Sequence, residues 1–256
     1  MSETPAATAT GAELPERRVA IVGAGPSGLF AAQSLVAQTE IPVRVDIIDR
    51  LPTPYGLLRY GVAPDHTSIK SVATALARTF DDPRVRFIGH VQFGADTTRE
   101  ELLSAYDAVV YAVGASEDAE MGVPGEQLPG SLSAREFVAW YSGHPDAQPQ
   151  DLSGVSAAAT IGVGNVAVDV ARILVKSADE LDTTDMPEAV LDELRRHEVA
   201  DVWVIGRRGP HHASFTTVEL RELVTLPGLT VTVTPDAFDG IPDEGLDRRT
   251  KANVEI

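Results

Sequence analysis

Short β-branched runs alternate along the chain with longer stretches in which apolar residues recur at helical spacing. The runs that predict strands cover residues 18–22, 43–48, 85–88, 91–93, 108–113, 157–161, 202–205 and 229–233. The stretches that predict helices run from the first glycine-rich turn to about residue 38, over 68–80 and 134–141, from the second such turn to about 176, and over 179–198 and 218–223. This alternation predicts an α/β fold with parallel sheets, because parallel strands are joined by crossovers that are usually helical.

The first strand is followed by a glycine-rich turn within residues 19–32, which read VAIVGAGPSGLFAA. Gly23, Gly25 and Gly28 have the spacing GxGxxG. In this pattern the first glycine permits a tight turn, the second lets backbone approach a pyrophosphate, and the third lets strand and helix pack closely. The helix that begins here also offers free N–H groups to an anion. A tight turn without a ligand is the alternative interpretation.

An acidic residue supports the interpretation as a nucleotide site. Asp49 ends the second strand, about 20 residues after the turn, where a ribose-binding carboxylate belongs. Asp46 is a weaker candidate, since it falls within the strand and not at its end. Strand, glycine spacing and acid together favour a dinucleotide site over an empty turn.

A second glycine-rich turn lies within residues 160–174, which read TIGVGNVAVDVARIL. Here Gly162, Gly164 and Ala167 have the spacing GxGxxA. After the following strand, a site for NAD would have Asp or Glu, but this chain has Arg207 and Arg208 between glycines. Guanidinium groups bind phosphate in a bidentate manner, so the pair indicates the 2′-phosphate of NADP. A solvated basic turn is the alternative. Basic residues are scarce in this chain, 21 against 38 acidic, which favours a functional role for the arginine pair.

The two turns predict two Rossmann-like dinucleotide-binding units with parallel sheets. A Pro/Gly-rich connector at residues 122–130 is typical of a crossing between domains. We expect a disordered tail over residues 1–16, a first domain over 17–116 and a second over 117–256.

Composition excludes several classes of function. The 256 residues include no cysteine, which excludes disulfides, thiolate metal sites and bound iron–sulfur clusters within this chain, and no metal site is predicted. The net charge of −17 argues against binding to nucleic acid or to anionic membranes. No run approaches the roughly 18 apolar residues of a membrane span. A cytoplasmic monomer is expected.

Six segments together resemble the NADPH–ferredoxin reductases of the adrenodoxin-reductase type. They are VAIVGAGPSG (19–28), LPTPYGLLRYGVAPDH (51–66), YDAVVYAVGA (106–115), VPGEQLPG (123–130), IGVGNVAVDVARIL (161–174) and VIGRRGPHHASFTTVELREL (204–223). They occur in the order of that family, and the similarity extends from about residue 17 almost to the end of the chain.

The resemblance implies two cofactors, FAD in the first domain and NADP in the second. The implied FAD contacts are Gly23, Gly25, Ser27 and Gly28 on the pyrophosphate, Asp49 on the ribose where the family usually has Glu, Leu57 on the flavin, Val91 on adenine through its backbone, and Gly114 at the end of its strand. The implied NADP contacts are Gly164, Asn165, Val166 and Ala167 on the pyrophosphate, Arg207 and Arg208 on the 2′-phosphate, and Glu219.

The resemblance also implies that His66 and Glu222 lie near the flavin and the nicotinamide. Hydride transfer between the two rings needs no acid–base side chain for the hydride itself. We therefore assign the catalytic pair an orienting or proton-handling role. The structural alternative is an ordinary histidine after Pro-Asp and a helical acid.

The activity implied is that of a ferredoxin–NADP⁺ reductase, in which FAD accepts a hydride from NADPH and passes single electrons to ferredoxin. The family completes its FAD domain with a later C-terminal segment, so we expect the activity when that part is supplied. Residues 116–120, SEDAE, lack the basic NADP contact of some relatives. Two alternatives are an NADP-binding remnant without flavin and the electron-input module of a glutamate-synthase-like complex, although such modules usually carry cysteine clusters nearby.

A basic stretch suggests where the acidic ferredoxin would dock. It consists of Arg59, Lys70, Arg78, Arg84 and Arg86 and follows the implied flavin loop. An ordinary solvated surface is the alternative.

Overall fold

The computed structural model describes residues 14–115, 117–234, 236–242 and 244–256. Most of the predicted tail therefore lies outside the described residues. The described chain forms two compact units, one from residues 14–58 and 71–115, the other from 59–70 and the residues after 116. The segment 59–70 thus packs with the second unit, although the sequence analysis assigned it to the first domain.

The helices and strands follow each other in the expected alternation. The strands are β1 Arg17–Val22, β2 Val43–Ile48, β3 Val85–Ile88, β4 Ala108–Tyr111, β5 Ala157–Ile161 and β6 Asp201–Ile205. The helices are α1 Pro26–Ala37, α2 Leu57–Tyr60, α3 Thr67–Lys70, α4 Val72–Ala77, α5 Arg99–Ala105, α6 Ala134–Tyr141, α7 Asn165–Val175, α8 Ala178–Leu181, α9 Glu188–Arg196, α10 Thr217–Val224 and α11 Arg248–Glu255. Short 3₁₀ helices cover Arg78–Asp81 and Pro210–His212.

The first unit contains a four-stranded parallel sheet in the order β3-β2-β1-β4. Its strands are nearly continuous apolar runs, as expected for a parallel sheet covered on both faces. Alternate residues pack on opposite sides: Val19 and Ile21 belong to the apolar cluster that contains Leu29 of α1, and Ala20 belongs to the one that contains Leu102 of α5. The register aligns the carboxyl ends of all four strands at one edge.

The second unit contains a parallel pair, β5 and β6, with Ala159 opposite Trp203. One face contacts α7, and the core extends from there to α6, α8 and α9. The opposite face is open: Ile161 is 58% exposed, Trp203 62% and Ile205 44%. This sheet therefore has apolar side chains in solvent on one side.

Four local predictions were wrong in extent. The helix predicted over 179–198 is divided into α8 and α9, with residues 182–187 between them outside any helix. The helix predicted over 68–80 is divided into α3, α4 and a 3₁₀ turn, with a break at Ser71. Residues 91–93 form no strand: Phe93 makes an isolated β-bridge with Thr97 across the turn at 94–96, where Asp96 N–H donates to Gln92 O at 2.8 Å. Residues 229–233 form no strand either, because no neighbouring strand in the described part of the chain pairs with them.

The predicted fold class is confirmed: the chain is α/β, with parallel sheets and a strand–glycine turn–helix unit of the Rossmann type in each half. No helix in the described part of the chain has the length and apolar character needed to cross a bilayer.

Candidate functional site

Two of the three glycines in the first turn are fixed by the fold. Gly23 has φ +108°, and a Cβ there would lie 2.3 Å from Ala112 O. A Cβ on Gly28 would lie 2.0 Å from Gly23 O. By contrast, a Cβ on Gly25 would meet nothing within 4 Å. Gly25, which precedes α1, therefore leaves open space in front of the helix N-terminus, beside the exposed Ser27.

Asp49 is tied to the same turn through its carboxylate. Oδ2 accepts from Ala24 N–H at 2.7 Å and Oδ1 from Leu51 N–H at 2.9 Å. An ionised carboxylate has about four acceptor sites, so further donors can still bind. The other candidate, Asp46, is occupied elsewhere: Arg86 donates to both of its oxygens, and Tyr106 Oη donates to Oδ2.

The remaining candidate FAD contacts lie in the first unit and differ in how far they are exposed to solvent. Leu57 is 70% exposed at the start of α2. Val91 is half-buried and its N–H donates to Asp49 O at 3.0 Å. Gly114 has φ +72° and is exposed, with open space where a Cβ would lie.

In the second unit the glycine turn is held by the segment before α10. Gly164 precedes α7, and a Cβ there would lie 3.5 Å from Ser214 Oγ. Asn165 Oδ1 accepts from Thr216 N–H at 2.8 Å. Val166 is 49% exposed, and the next residue of the turn, Ala167, is half-buried.

Arg207 and Arg208 follow β6 and are exposed. Neither guanidinium forms an ion pair or hydrogen bond with any residue that the structure describes. Both parallel strands of this unit run toward the same edge, so the glycine turn after β5 and the arginines after β6 lie at one edge of the sheet. Unpaired guanidinium groups at that edge can accept a phosphate without first breaking an ion pair.

A buried ionic network joins α7, α10 and the residues before α3 in the second unit. Arg172 of α7 lies at its centre and is 1% exposed. Its Nε and Nη2 donate to the two carboxylate oxygens of Asp65, each at 2.9 Å. Its Nη1 lies 2.8 Å from Asp169 Oδ1 and donates to Glu219 Oε2 at 3.2 Å. Lys176 Nζ donates to Asp65 Oδ2 at 2.7 Å.

Pairing decides the charge of two members of this network. Burial acts to raise the pKa of Asp65, but the hydrogen bonds from Arg172 and Lys176 hold it far below the ordinary 3.8. Burial acts to lower the pKa of Arg172, yet the hydrogen bond to Asp65 raises it. For Glu219 burial dominates and raises the pKa above 4.5. Asp65 and Arg172 therefore stay ionised, whereas Glu219 takes up a proton more readily than an exposed glutamate.

The His66 imidazole is 8% exposed, and its Nε2 has three close neighbours. Asp169 Oδ1 lies at 2.8 Å, Glu219 Oε2 at 3.0 Å and Arg172 Nη2 at 2.7 Å. The hydrogen bond with Asp169 raises the pKa of His66 above 6.5, although burial and the charge of Arg172 act to lower it. A protonated Nε2 donates to a carboxylate, and a deprotonated one accepts from Arg172.

His66 and Glu222, the catalytic pair that the resemblance implies, lie close to each other and to Glu219. Ligand atoms of the three residues all lie within 4.8 Å of one another, and Glu222 is exposed. Carboxylates and imidazole at such distances could hold a metal ion, but the cationic guanidinium of Arg172 beside Nε2 disfavours a second cation there. The arrangement suits proton exchange at Nε2 better than metal binding. Glu219, predicted as an NADP contact, lies within this network and is 6% exposed.

Most of the network was not predicted from the sequence. A signal for it exists on α7, where polar residues recur at intervals of four, three and four along an otherwise apolar helix, so that they share one face. The residues of this stripe are Asn165, Asp169, Arg172 and Lys176. A polar stripe on a helix packed in a core requires partners. Asn165 pairs with Thr216, and the other three residues pair with Asp65, His66 and Glu219.

Two arginines of the basic stretch over residues 59–86 are already paired with carboxylates. Arg84 donates to both oxygens of Asp82, and Arg86 donates to both oxygens of Asp46. Both arginines lie at the amino-terminal end of β3, the edge of the sheet opposite the first glycine turn. Their predicted part in ferredoxin docking next to the flavin loop is not supported.

Comparison with known proteins identifies the family to which this chain belongs. Residues 17–203 match the family described as pyridine nucleotide-disulphide oxidoreductase. The chain is 47% identical over 247 residues to NADPH-ferredoxin reductase FprA of Mycobacterium leprae, covering 93% of this chain and 54% of that protein. It is 44% identical over 229 residues to mitochondrial NADPH:adrenodoxin oxidoreductase of Homo sapiens, covering 89% and 46%.

A solved structure agrees with these relatives. The structure of Mycobacterium tuberculosis FprA in complex with NADPH matches with a TM-score of 0.89 at 46% identity, over 94% of this chain and 55% of that one. The chain therefore spans about half the length of the relatives that it matches. The predicted resemblance to NADPH–ferredoxin and adrenodoxin reductases is confirmed.

Proposed function

We propose, since the chain belongs to the pyridine nucleotide-disulphide oxidoreductase family, that it carries the FAD and NADP sites of a reductase that passes electrons from NADPH to a ferredoxin-type protein. The relatives named NADPH-ferredoxin reductase and NADPH:adrenodoxin oxidoreductase support this activity. With no cysteine in its 256 residues, the chain has no redox-active disulfide of its own.

The observation that carries the proposal is the recurrence of one dinucleotide-binding arrangement in both units with different partner residues. In the first unit the glycine turn is accompanied by the acid Asp49. In the second it is accompanied by Arg207 and Arg208. An acid suits a ribose hydroxyl, whereas two guanidinium groups suit a 2′-phosphate.

The first unit fits FAD. The open space at Gly25, next to the exposed Ser27, leaves room for a pyrophosphate at the N-terminus of α1, whose first N–H groups have no helical partner. We assign Gly23 and Gly28 to the shape of the turn and Asp49 to the ribose. Leu57, Val91 and Gly114 remain proposed flavin and adenosine contacts.

The second unit fits NADP. We assign Gly164, Asn165, Val166 and Ala167 to the pyrophosphate at the N-terminus of α7, and Arg207 and Arg208 to the 2′-phosphate. Asn165 already accepts a bond from Thr216 N–H, so its amide N–H₂ group is left to donate. We assign Glu219 a role within the ionic network in addition to its proposed NADP contact.

When bound, the flavin supplies the chemistry that joins a two-electron hydride donor to a one-electron acceptor. The residues of this chain bind the two nucleotides and manage protons. His66 holds or releases a proton at Nε2, next to Asp169 and Glu219. Glu222, exposed beside them, connects this group to solvent.

The experiment is a visible absorption spectrum of the purified chain after addition of FAD and removal of free flavin. We expect bound-flavin bands that bleach anaerobically on addition of NADPH, and reduction of a ferredoxin when the family's C-terminal segment is also supplied. NADPH binding without flavin bands would favour the NADP-binding remnant. Flavin reduction without electron transfer to ferredoxin would favour an input module for another acceptor. The monomeric state and the cytoplasmic location stay predictions.

A further inference from the structure

The three neighbours of His66 Nε2 cannot all be satisfied at once. Nε2 carries either a proton or a lone pair. A proton can be donated to Asp169 at 2.8 Å or to Glu219 at 3.0 Å, whereas a lone pair can accept only from Arg172 Nη2 at 2.7 Å. The two states therefore have different partners at the same nitrogen, without any rotation of the ring.

We infer that Arg172 is a positioning residue that replaces the carboxylates as the hydrogen-bond partner of His66 Nε2 whenever the imidazole is neutral. On this view the proton leaves Nε2 for solvent as the pH rises, and the freed lone pair accepts an N–H of the guanidinium. The neutral imidazole then carries its remaining proton on Nδ1. The part of this inference that concerns proton handling during reduction rests on the proposed function.

Asp65 makes this role possible because it fixes the guanidinium. Two hydrogen bonds of 2.9 Å join Nε and Nη2 to the two oxygens of the Asp65 carboxylate, and Lys176 donates to one of these oxygens. Since Asp65 directly precedes His66 in the chain, the same contact positions the backbone of the histidine. A bidentate pair of this kind has a defined orientation that a lysine could not reproduce.

The charged groups around the imidazole come from four parts of the second unit. Asp169, Arg172 and Lys176 belong to α7 or its end, and Glu219 and Glu222 to α10. Asp65 precedes the histidine. From α6, Tyr141 lies in the field of Asp65, Asp169 and Arg172, and burial raises its pKa, so it stays neutral. Of these groups, Arg172 is the cation that directly opposes protonation of His66.

The tautomer of His66 in the unmodified chain is the first test. Long-range proton–nitrogen correlation NMR distinguishes the two neutral tautomers, and loss of one of the six histidine signals in His66→Gln assigns the resonance. At a pH above the titration of His66 we expect the proton on Nδ1 and a bare Nε2. A neutral imidazole protonated on Nε2 would overturn the inference.

Titration of His66 by NMR in matched variants is the second test. Removing the cation in Arg172→Met should raise the pKa of His66 above that of the wild type, and Arg172→Lys should shift it less. The control Arg196→Met removes an exposed arginine of α9 and should leave the pKa of His66 unchanged. A His66 pKa in folded Arg172→Met that is unchanged or that falls toward 6.5 would show that Arg172 is only a structural support.

The variant Asp169→Asn should shift the pKa of His66 in the opposite direction. This test does not depend on whether Arg172→Met folds. Loss of the carboxylate at 2.8 Å should lower the pKa of His66, and no change would contradict the arrangement. None of these measurements requires bound FAD or NADPH. Failure of the tautomer and titration tests is therefore separate from failure of the cofactor-binding experiment, which concerns the proposed function alone.

Discussion

Gly25 and Gly28 are three positions apart in the first turn but have different surroundings. A methyl group on Gly28 would collide with a backbone oxygen at 2.0 Å, whereas one on Gly25 would enter open space. Gly28 therefore serves the close contact of helix with strand, and we propose that the space at Gly25 serves a ligand. Residue identity alone cannot separate these roles, although both positions belong to one motif.

Alanine substitutions should separate the two roles. We expect Gly28→Ala to lower the free energy of unfolding by about 1–3 kcal/mol, because the backbone must move to admit the methyl group. Gly25→Ala should cost no more than about 1 kcal/mol, as at other helix N-caps, but should weaken FAD binding. Urea denaturation and flavin titration measure the two effects. Equal stability losses in both variants would contradict this division.

At Arg207 and Arg208 the expected effect is one of cofactor preference. Each guanidinium–phosphate contact is worth about 1.5–3 kcal/mol, so Arg207→Ala should weaken NADPH binding by about 10–100-fold. The affinity for NADH, which lacks the 2′-phosphate, should be unchanged. Dissociation constants for both nucleotides test this, with Arg196→Ala as an exposed control. Equal affinities of the wild type for NADPH and NADH would refute the assignment.

At the scale of elements, α7 combines a proposed nucleotide site at its N-terminus with a buried ionic network along one face. Its N-terminus follows the second glycine turn, and its polar stripe forms the buried network with Asp65, His66 and Glu219. An unpaired buried charge costs far more than a pair contributes. The ionic contacts of α7 are therefore mutually dependent, and loss of one partner affects the others.

Asp65→Asn should reveal this dependence as a change in acid stability. Because the folded pKa of Asp65 lies below 3.8, its stabilisation is present above that pH and is lost as the pH falls further. At neutral pH we expect a loss of about 3 kcal/mol, since Arg172 and Lys176 lose a charged partner. Denaturation below pH 3.8 should show a smaller difference from wild type. The exposed control Glu198→Gln should show neither effect.

The open face of the β5–β6 sheet predicts that Trp203 is accessible to a quencher in solution. The chain has two tryptophans; Trp203 on this face is 62% exposed and Trp140 of α6 is 7% exposed. Fluorescence of Trp140→Phe should therefore be quenched strongly by acrylamide, and that of Trp203→Phe weakly. Acrylamide is neutral, so the charge of −17 does not repel it. Protection of Trp203 would mean that this face is covered in solution.

For the whole molecule, the division into two compact units predicts separate responses to the two ligands. Each glycine turn and its partner residues belong to one unit, and bound ligand slows exchange of the amides that it orders. We expect FAD to protect amides near residues 23–29 and 49–51, and NADPH to protect those near 164–168. Hydrogen exchange with each ligand alone tests this. Protection of the first turn by NADPH alone would contradict the assignment of sites.

Local features were predictable because they depend on a few neighbouring residues. Glycine spacing, the alternation of strands and helices and the arginine pair after β6 can be recognised in short windows, since positive φ, periodicity and ligand chemistry are properties of single positions and their neighbours. These features predicted the fold class, which the structure confirms, and the resemblance to the reductases, which the comparisons confirm. The place of His66 and Glu222 near the flavin and the nicotinamide, which the resemblance implies, stays a prediction, although the structure brings the two side chains close together.

Only the tertiary structure decided which charged residues are paired. Arg172 and Asp65 are separated by 107 positions, and Arg172 and Glu219 by 47. Arg84 and Arg86, grouped by sequence into a docking surface, bind carboxylates at the far edge of their sheet. Packing also placed residues 59–70 with the second unit. A charge in sequence has no fixed partner, because its energy depends on burial and on the distance to other charges, and these are known only once the chain is folded.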